Sequence, residues 1–258
     1  MEWFVFILRI ILYIIFVFAT YTIITNWDKK DVKKIVLSLG TILLFFCVTY
    51  LQFIPVWIFH LDVNNLSDIQ NTLLNLFSNV SLVAILLFIY RKDLKKDLIN
   101  FKKNIISNLE AGFKYWILGL VIMMVSNIIL TIVTGGIAAN EELVQGMIEN
   151  TPFLALLSAG IIAPIVEELC FRKTIKDIIK NKYIGSILSG LLFGILHIAF
   201  SCTTFQDFLF IIPYGALGFT FSMMYYETNN AITPIFMHAL HNSILTIISI
   251  VGMGFIIW

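Results

Sequence analysis

The chain has 258 residues, 59% of them hydrophobic and 13% charged, with a net charge of +1 and a mean hydropathy of +0.93. A soluble domain carries about a quarter charged residues, and surface-to-volume scaling limits how much apolar material one core can hide. The composition therefore argues against a soluble globular domain, and lipid is the solvent that accommodates the excess.

In chain order, apolar stretches close to the roughly 20 residues that cross a bilayer fall near 3–26, 35–59, 72–90, 113–134, 152–170, 184–200, 208–226 and 232–256. This predicts an all-α, polytopic transmembrane helical bundle of about eight spans. The first stretch, Trp3 to Asn26, is too long for a signal-peptide core and follows no basic segment, so it reads as a retained span. The three cysteines, Cys47, Cys170 and Cys202, are scattered over separate segments and imply no disulfide framework. Cys170 reads as a small buried apolar residue.

The connections between spans alternate in basic content. The first, third and fifth contain Lys29, Lys30, Lys33 and Lys34; Arg91 through Lys114; and Arg172 through Lys182. The second, fourth and sixth, near 60–71, 135–151 and 201–207, contain no lysine or arginine. Only Arg9 lies elsewhere. The positive-inside rule places the basic connections in the cytoplasm and, with an even number of spans, both termini outside. Within 91–114, Leu94, Leu98, Phe101, Ile105 and Leu109 share a face while the lysines occupy others. That spacing predicts an amphipathic helix in the cytoplasmic interface. The chain thus divides into three leading spans (1–90), this linker (91–114) and a five-span second half (115–258).

Ionisable residues inside membrane segments are costly and mark functional sites by default. The second half concentrates them in three places. Glu167 and Glu168 precede Arg172, and Glu168 stands at i to the arginine's i+4, the favourable orientation for a helical ion pair. Glu167 points about 100° away, which leaves one carboxylate unpaired and suited to general base work. Pro164, three residues earlier, removes a backbone hydrogen bond and can kink the helix. Glu141 and Glu142, in the polar 135–151 segment, lack a matching arginine and read as solvated. His197 lies one position off a stripe of Ser186, Gly190 and Gly194 that lets another helix approach closely. His238 and Asn242 share a face at i and i+4, behind a Thr233-Pro234 helix start. His241 projects from an adjacent face as an interfacial histidine, and His60 falls in an outside loop.

Together these segments resemble the CAAX-protease and bacteriocin-processing (CPBP, or Abi) family of intramembrane endopeptidases. That family's pattern is E-E-x-x-x-R, F-x-x-x-H and H-x-x-x-N/D, in that order. Here it stands as Glu167-Glu168-x-x-x-Arg172, Phe193-x-x-x-His197 and His238-x-x-x-Asn242. The resemblance implies a site in which Glu167, helped by His197, activates water. In it His238 and Asn242 donate hydrogen bonds to the developing oxyanion, and Glu168 and Arg172 hold the acidic helix in position. It leaves metal dependence open: a metal-free glutamate mechanism is the expectation, and zinc on Glu167, His197 and His238 the alternative.

The expected activity is endoproteolysis of a membrane-associated peptide or protein in a bacterial plasma membrane. A prenylated protein, a pheromone precursor and a bacteriocin precursor are all compatible substrates, and no nucleic-acid partner is expected. The rival readings are a non-catalytic membrane regulator that binds a sensor kinase or another partner, and a proton-coupled transporter. The span limits put Glu167 and His238 near the cytoplasmic end of their helices, with His197 about 20 Å deeper.

Overall fold

The computed structural model describes residues 29–198 and 205–256, preceded by residues 13, 15–22 and 25. Among the described residues the secondary structure is helical, with no strand. Helix α1 (Lys29–Cys47) runs on through a 3-10 turn (Val48–Gln52) into Phe53–Ile58. There follow α2 (Asp68–Ile89), α3 (Arg91–Lys103), α4 (Ile105–Thr134) and α5 (Ala139–Asn150). The rest is α6 (Pro152–Ile178), α7 (Lys182–Ile198), the short α8 (Phe205–Leu209), α9 (Ile211–Thr228) and α10 (Ile232–Ile256).

Six of these helical stretches are long and apolar enough to cross a membrane: Asp31–Ile58, Asp68–Ile89, Ile105–Thr134, Pro152–Ile178, Gln206–Thr228 and Ile232–Gly252. Helix α7 is apolar but shorter. Their outward faces are unsuited to water, as Ile132 on α4 at 78% exposure illustrates. The chain is a multi-pass membrane protein. Most of the predicted first span lies outside the described residues, as does Arg9. Of its helical residues, Ile15 and Ala19 are buried, and the Thr22 hydroxyl, which donates to the Phe18 carbonyl (2.8 Å), lies 3.4 Å from that of Ile178.

Local chemistry sets several helix ends. Helix α2 starts on a capping box, in which Gln70 N–H donates to Ser67 Oγ (3.3 Å) and Ser67 N–H to Gln70 Oε1 (2.9 Å). Helix α4 stops at Gly135, whose φ of +74° costs little without a side chain. The small-residue stripe does what its spacing predicts. A Cβ on Gly190 would lie 2.7 Å from the Gly215 carbonyl oxygen, and one on Gly194 2.7 Å from that of Ile211. Helices α7 and α9 therefore pack backbone to backbone, the close approach that replaces the hydrophobic effect between helices in lipid.

Three expectations need correction. The fifth span does not end at 170: α6 continues to Ile178, because Lys173 and Lys176 are satisfied inside the protein. Lys173 pairs with Asp93 (2.9 Å) and Asp177 (3.2 Å), while Lys176 donates to the Tyr225 carbonyl (2.9 Å) and Asn229 Oδ1 (2.7 Å). The polar 135–151 segment is largely the helix α5, which buries Ile148 and leaves Glu141 and Glu142 exposed. The amphipathic stretch breaks at Asn104, and Ile105 already belongs to the 30-residue α4.

Helix α3 lies at one end of the bundle, with its two aspartates directed at the helices carrying the predicted site. Asp93 meets Lys173 of α6. Asp97 Oδ2 accepts from Ala231 N–H (3.0 Å), and Asn230 donates to the Asp97 carbonyl (2.8 Å). Burial holds the Asp97 carboxyl above the usual carboxylate range, opposed by the Ala231 hydrogen bond.

Candidate active site

Two π-helical turns shape α6. The first, Leu156–Ile162, precedes Pro164; the second, Glu168–Lys173, contains Glu168 and Arg172. Pro164 has no N–H to offer the carbonyl of residue 160 in an α register, or that of 159 in a π register. Helix α10 supplies both donors instead: Asn242 Nδ2 donates to the Ala159 carbonyl (2.9 Å) and Ser243 Oγ to that of Gly160 (3.3 Å). The helix is thus continued rather than broken, and α10 is fastened against it. In the second π turn, Thr174 donates to the Cys170 carbonyl and Ser189 of α7 to that of Phe171 (3.1 Å). Cys170 itself is buried.

This fastening sets Glu168 against His238. His238 Nδ1 lies 2.8 Å from Glu168 Oε1, and Arg172 Nε lies 3.3 Å from Glu168 Oε2 at the expected i,i+4 spacing. All three side chains are buried. The arginine also lies over the Phe193 ring, 4.0 Å from its centroid. When Glu168 is ionised opposite Arg172, its oxygen accepts and His238 carries its proton on Nδ1. Its Nε2 then points a lone pair toward Glu167 Oε2, 3.7 Å away. Glu167 is the less buried acid, with 17% of its side chain exposed, and Oε2 has no hydrogen-bond partner among the described residues.

His197 is partly buried. Its Nδ1 donates to the Phe193 carbonyl (2.9 Å), since that oxygen can only accept, and Nε2 is left basic. Phe193 joins the two histidines: its ring centroid is 4.1 Å from that of His197 and 5.7 Å from that of His238. The apparent depth mismatch is thereby resolved. Because α6 extends to Ile178, Glu167 lies about 16 Å from that helix end, not at it.

His241 is not interfacial. It is buried, and Trp116 Nε1–H donates to its Nδ1 at 3.2 Å. Sequence reasoning missed Trp116, and also Tyr214, whose ring stacks on His197 at 4.7 Å and whose hydroxyl meets Asn140 of α5 (3.4 Å). No local signal marks either, since each lies on a different helix from its partner. His60 is exposed, with a φ of +49°.

The donor set does not fit a metal as it stands. Among the described residues no three His, Cys, Asp or Glu side chains converge to hold an ion.

A buried His–Glu–Arg cluster beside a partly exposed carboxylate, within helices of membrane length, makes this a membrane-embedded protein with titratable groups gathered among its spans. Residues 149–244 match the family described as type II CAAX prenyl endopeptidase Rce1-like, and this range contains all six predicted site residues. The chain is 30% identical over 114 residues to the Bacillus subtilis (strain 168) protein named "Putative membrane peptidase YdiL", covering 43% of each chain. It is 26% identical over 171 residues to UPF0177 protein YxdF of Lactococcus lactis subsp. lactis (strain IL1403), covering 62% of this chain and 88% of the relative. Against Membrane-embedded CAAX protease MroQ of Staphylococcus aureus (strain USA300) it is 30% identical over 162 residues, 58% of this chain and 61% of the relative. The matches thus span less than two thirds of the Bacillus and Staphylococcus proteins. No solved structure matches. Over residues 149–244 the chain is thus similar to the CAAX-type membrane endopeptidases.

Proposed function

We propose that this chain is an intramembrane endopeptidase that hydrolyses a peptide bond in a membrane-associated peptide or protein, without a metal. The observation that carries the reading is Glu167: a carboxylate with an unpartnered oxygen, beside a histidine whose other nitrogen is fixed by an ion-paired acid. Hydrolysis needs a base, a positioned water and stabilisation of the oxyanion, each stronger in a dry site. Glu167, assisted in this reading by His197, takes a proton from water as the water oxygen attacks the carbonyl carbon. The proton then passes to the leaving amine as the C–N bond breaks. Asn242 spends one amide N–H on Ala159, and its second N–H is the oxyanion donor. His238 donates there when it enters the cycle as an imidazolium, its Nε2 proton taken from bulk solvent before substrate binds and kept throughout, with Glu168 balancing the charge.

The test is cleavage of candidate peptides by the purified chain, read by mass spectrometry, with prenylated and unprenylated C-terminal peptides and precursor leader peptides as separate arms. Cleavage is expected to persist in a strong chelator. Loss restored by added zinc would overturn the metal-free mechanism. Partner binding without any cleavage would favour the regulator reading.

The same reading puts the basic connections in the cytoplasm and both termini outside. Contacts support a shared side for three of the connections. The Lys114–Glu227 pair (3.0 Å), the Asn230–Asp97 bond and the Lys173–Asp93 pair gather the 91–103, 173–182 and 227–231 segments at one end. Single cysteines at Lys96 and Lys180 are expected to resist an impermeant thiol reagent in intact cells, in a background without native cysteines. Cysteines at Asn64 and Glu142 should label. The reverse pattern would invert the topology.

A further inference from the structure

Helix α3 separates its charges by sign. Its acids, Asp93 and Asp97, stand one helical turn apart and are both engaged by the protein, through Lys173 and Ala231. Its cations, Arg91, Lys92, Lys95, Lys96, Lys102 and Lys103, are all exposed, and none forms an ion pair with the described residues. The helix begins two residues after α2 ends and stops two residues before α4 begins, both helices being of membrane length. Its cationic face is therefore held at the level of the lipid headgroups.

We infer that α3 docks on anionic lipid headgroups and, through Asp93 and Asp97, sets the register of α6 against α10. The charge complementarity is that of a juxtamembrane basic segment on an anionic leaflet. The route inward is short. Asp97 holds the start of α10, seven residues before His238, and Asp93 holds Lys173, the neighbour of Arg172. Seating α3 thus positions both halves of the Glu168–His238 contact. The consequence for turnover rests on the peptidase reading, whereas the docking itself does not.

The test uses the full chain, purified and reconstituted in nanodiscs of phosphatidylcholine with or without phosphatidylglycerol, so that lipid is the only variable. The readout is amide hydrogen exchange. Phosphatidylglycerol is expected to slow exchange at least about threefold in 91–103 and in 231–238, since local opening becomes rarer, and high salt should reverse the effect. Joint replacement Lys95→Gln, Lys96→Gln, Lys102→Gln and Lys103→Gln should abolish the response, while arginine at the same four positions should retain it. Asp97→Ala should keep the slowing in 91–103 but uncouple 231–238, and Asp97→Asn, which can still accept from Ala231, should restore the coupling. Equal exchange in the two lipids, or slowing that survives neutralisation of the lysines, would overturn the docking. A lipid response in 231–238 that persists in Asp97→Ala would overturn the route. If cleavage failed in every lipid while the exchange pattern held, the peptidase reading would fall and the docking would stand.

Discussion

Glu167→Gln is expected to lower the rate of peptide cleavage by at least about 100-fold, the usual contribution of a general base. The amide keeps the size of the side chain and removes the proton acceptor. Glu167 is the acid whose loss should leave the scaffold intact, because it is partly exposed and makes no ion pair with Arg172. Thermal stability should therefore stay near that of the wild type, which separates chemistry from folding. His197→Ala should be similarly damaging, whereas Glu142→Gln and His60→Ala, both at exposed positions, should leave turnover near normal. Asn242→Ala is expected to cost about 3 kcal/mol of transition-state stabilisation, typical of one oxyanion donor. That variant also strips the Ala159 carbonyl of its donor, so a stability loss of about 1 kcal/mol should accompany it. Wild-type turnover by Glu167→Gln on a confirmed substrate would sink the glutamate mechanism, and Glu168→Gln would then decide whether the second acid takes over.

What could be read from the sequence was what helical periodicity encodes. The Glu168–Arg172 pair and the Ser186, Gly190, Gly194 stripe each depend on one helix alone, and both took the expected geometry. What could not be read was set by partners far along the chain. Lys173 and Lys176 have the composition of a loop, yet Asp93 and the Tyr225 carbonyl neutralise or satisfy them and let α6 run on to Ile178. The polar residues of 139–150 masked a helix whose apolar signal, Val144, Met147 and Ile148 at i, i+3 and i+4, was present but short. At the predicted site, the motifs named helices that meet but not the wiring between them. The Glu168–His238 bond spans 70 residues, and the clasp from Asn242 and Ser243 to the carbonyls near Pro164 spans 83. Neither leaves a trace in local spacing. The tautomer of His238, and with it the direction in which Nε2 can act, follows only from that wiring.

Arg172→Ala is expected to be the most destabilising single replacement at the site, at about 3–5 kcal/mol, because it removes one partner of a buried ion pair. Arg172 is fully buried, and among the described residues its two terminal nitrogens find no hydrogen-bond acceptor. Its role rests on charge opposite Glu168 and on its face against Phe193. Truncation leaves Glu168 as an uncompensated buried carboxylate and opens a gap beneath the ring that links His197 to His238. Both outcomes should appear as a lower melting temperature and a smaller folded yield, together with loss of activity. The double replacement Arg172→Met with Glu168→Gln removes both charges and refills the volume, so it should recover most of the stability. It should not recover the activity, because a neutral amide opposite Nδ1 no longer stabilises His238 as an imidazolium. Recovery of both together would show that Glu168 serves packing alone. An Arg172→Ala protein as stable as the wild type but wholly inactive would move the arginine from the scaffold to the substrate, and the Glu168–Arg172 pair could then no longer be what holds His238 in place.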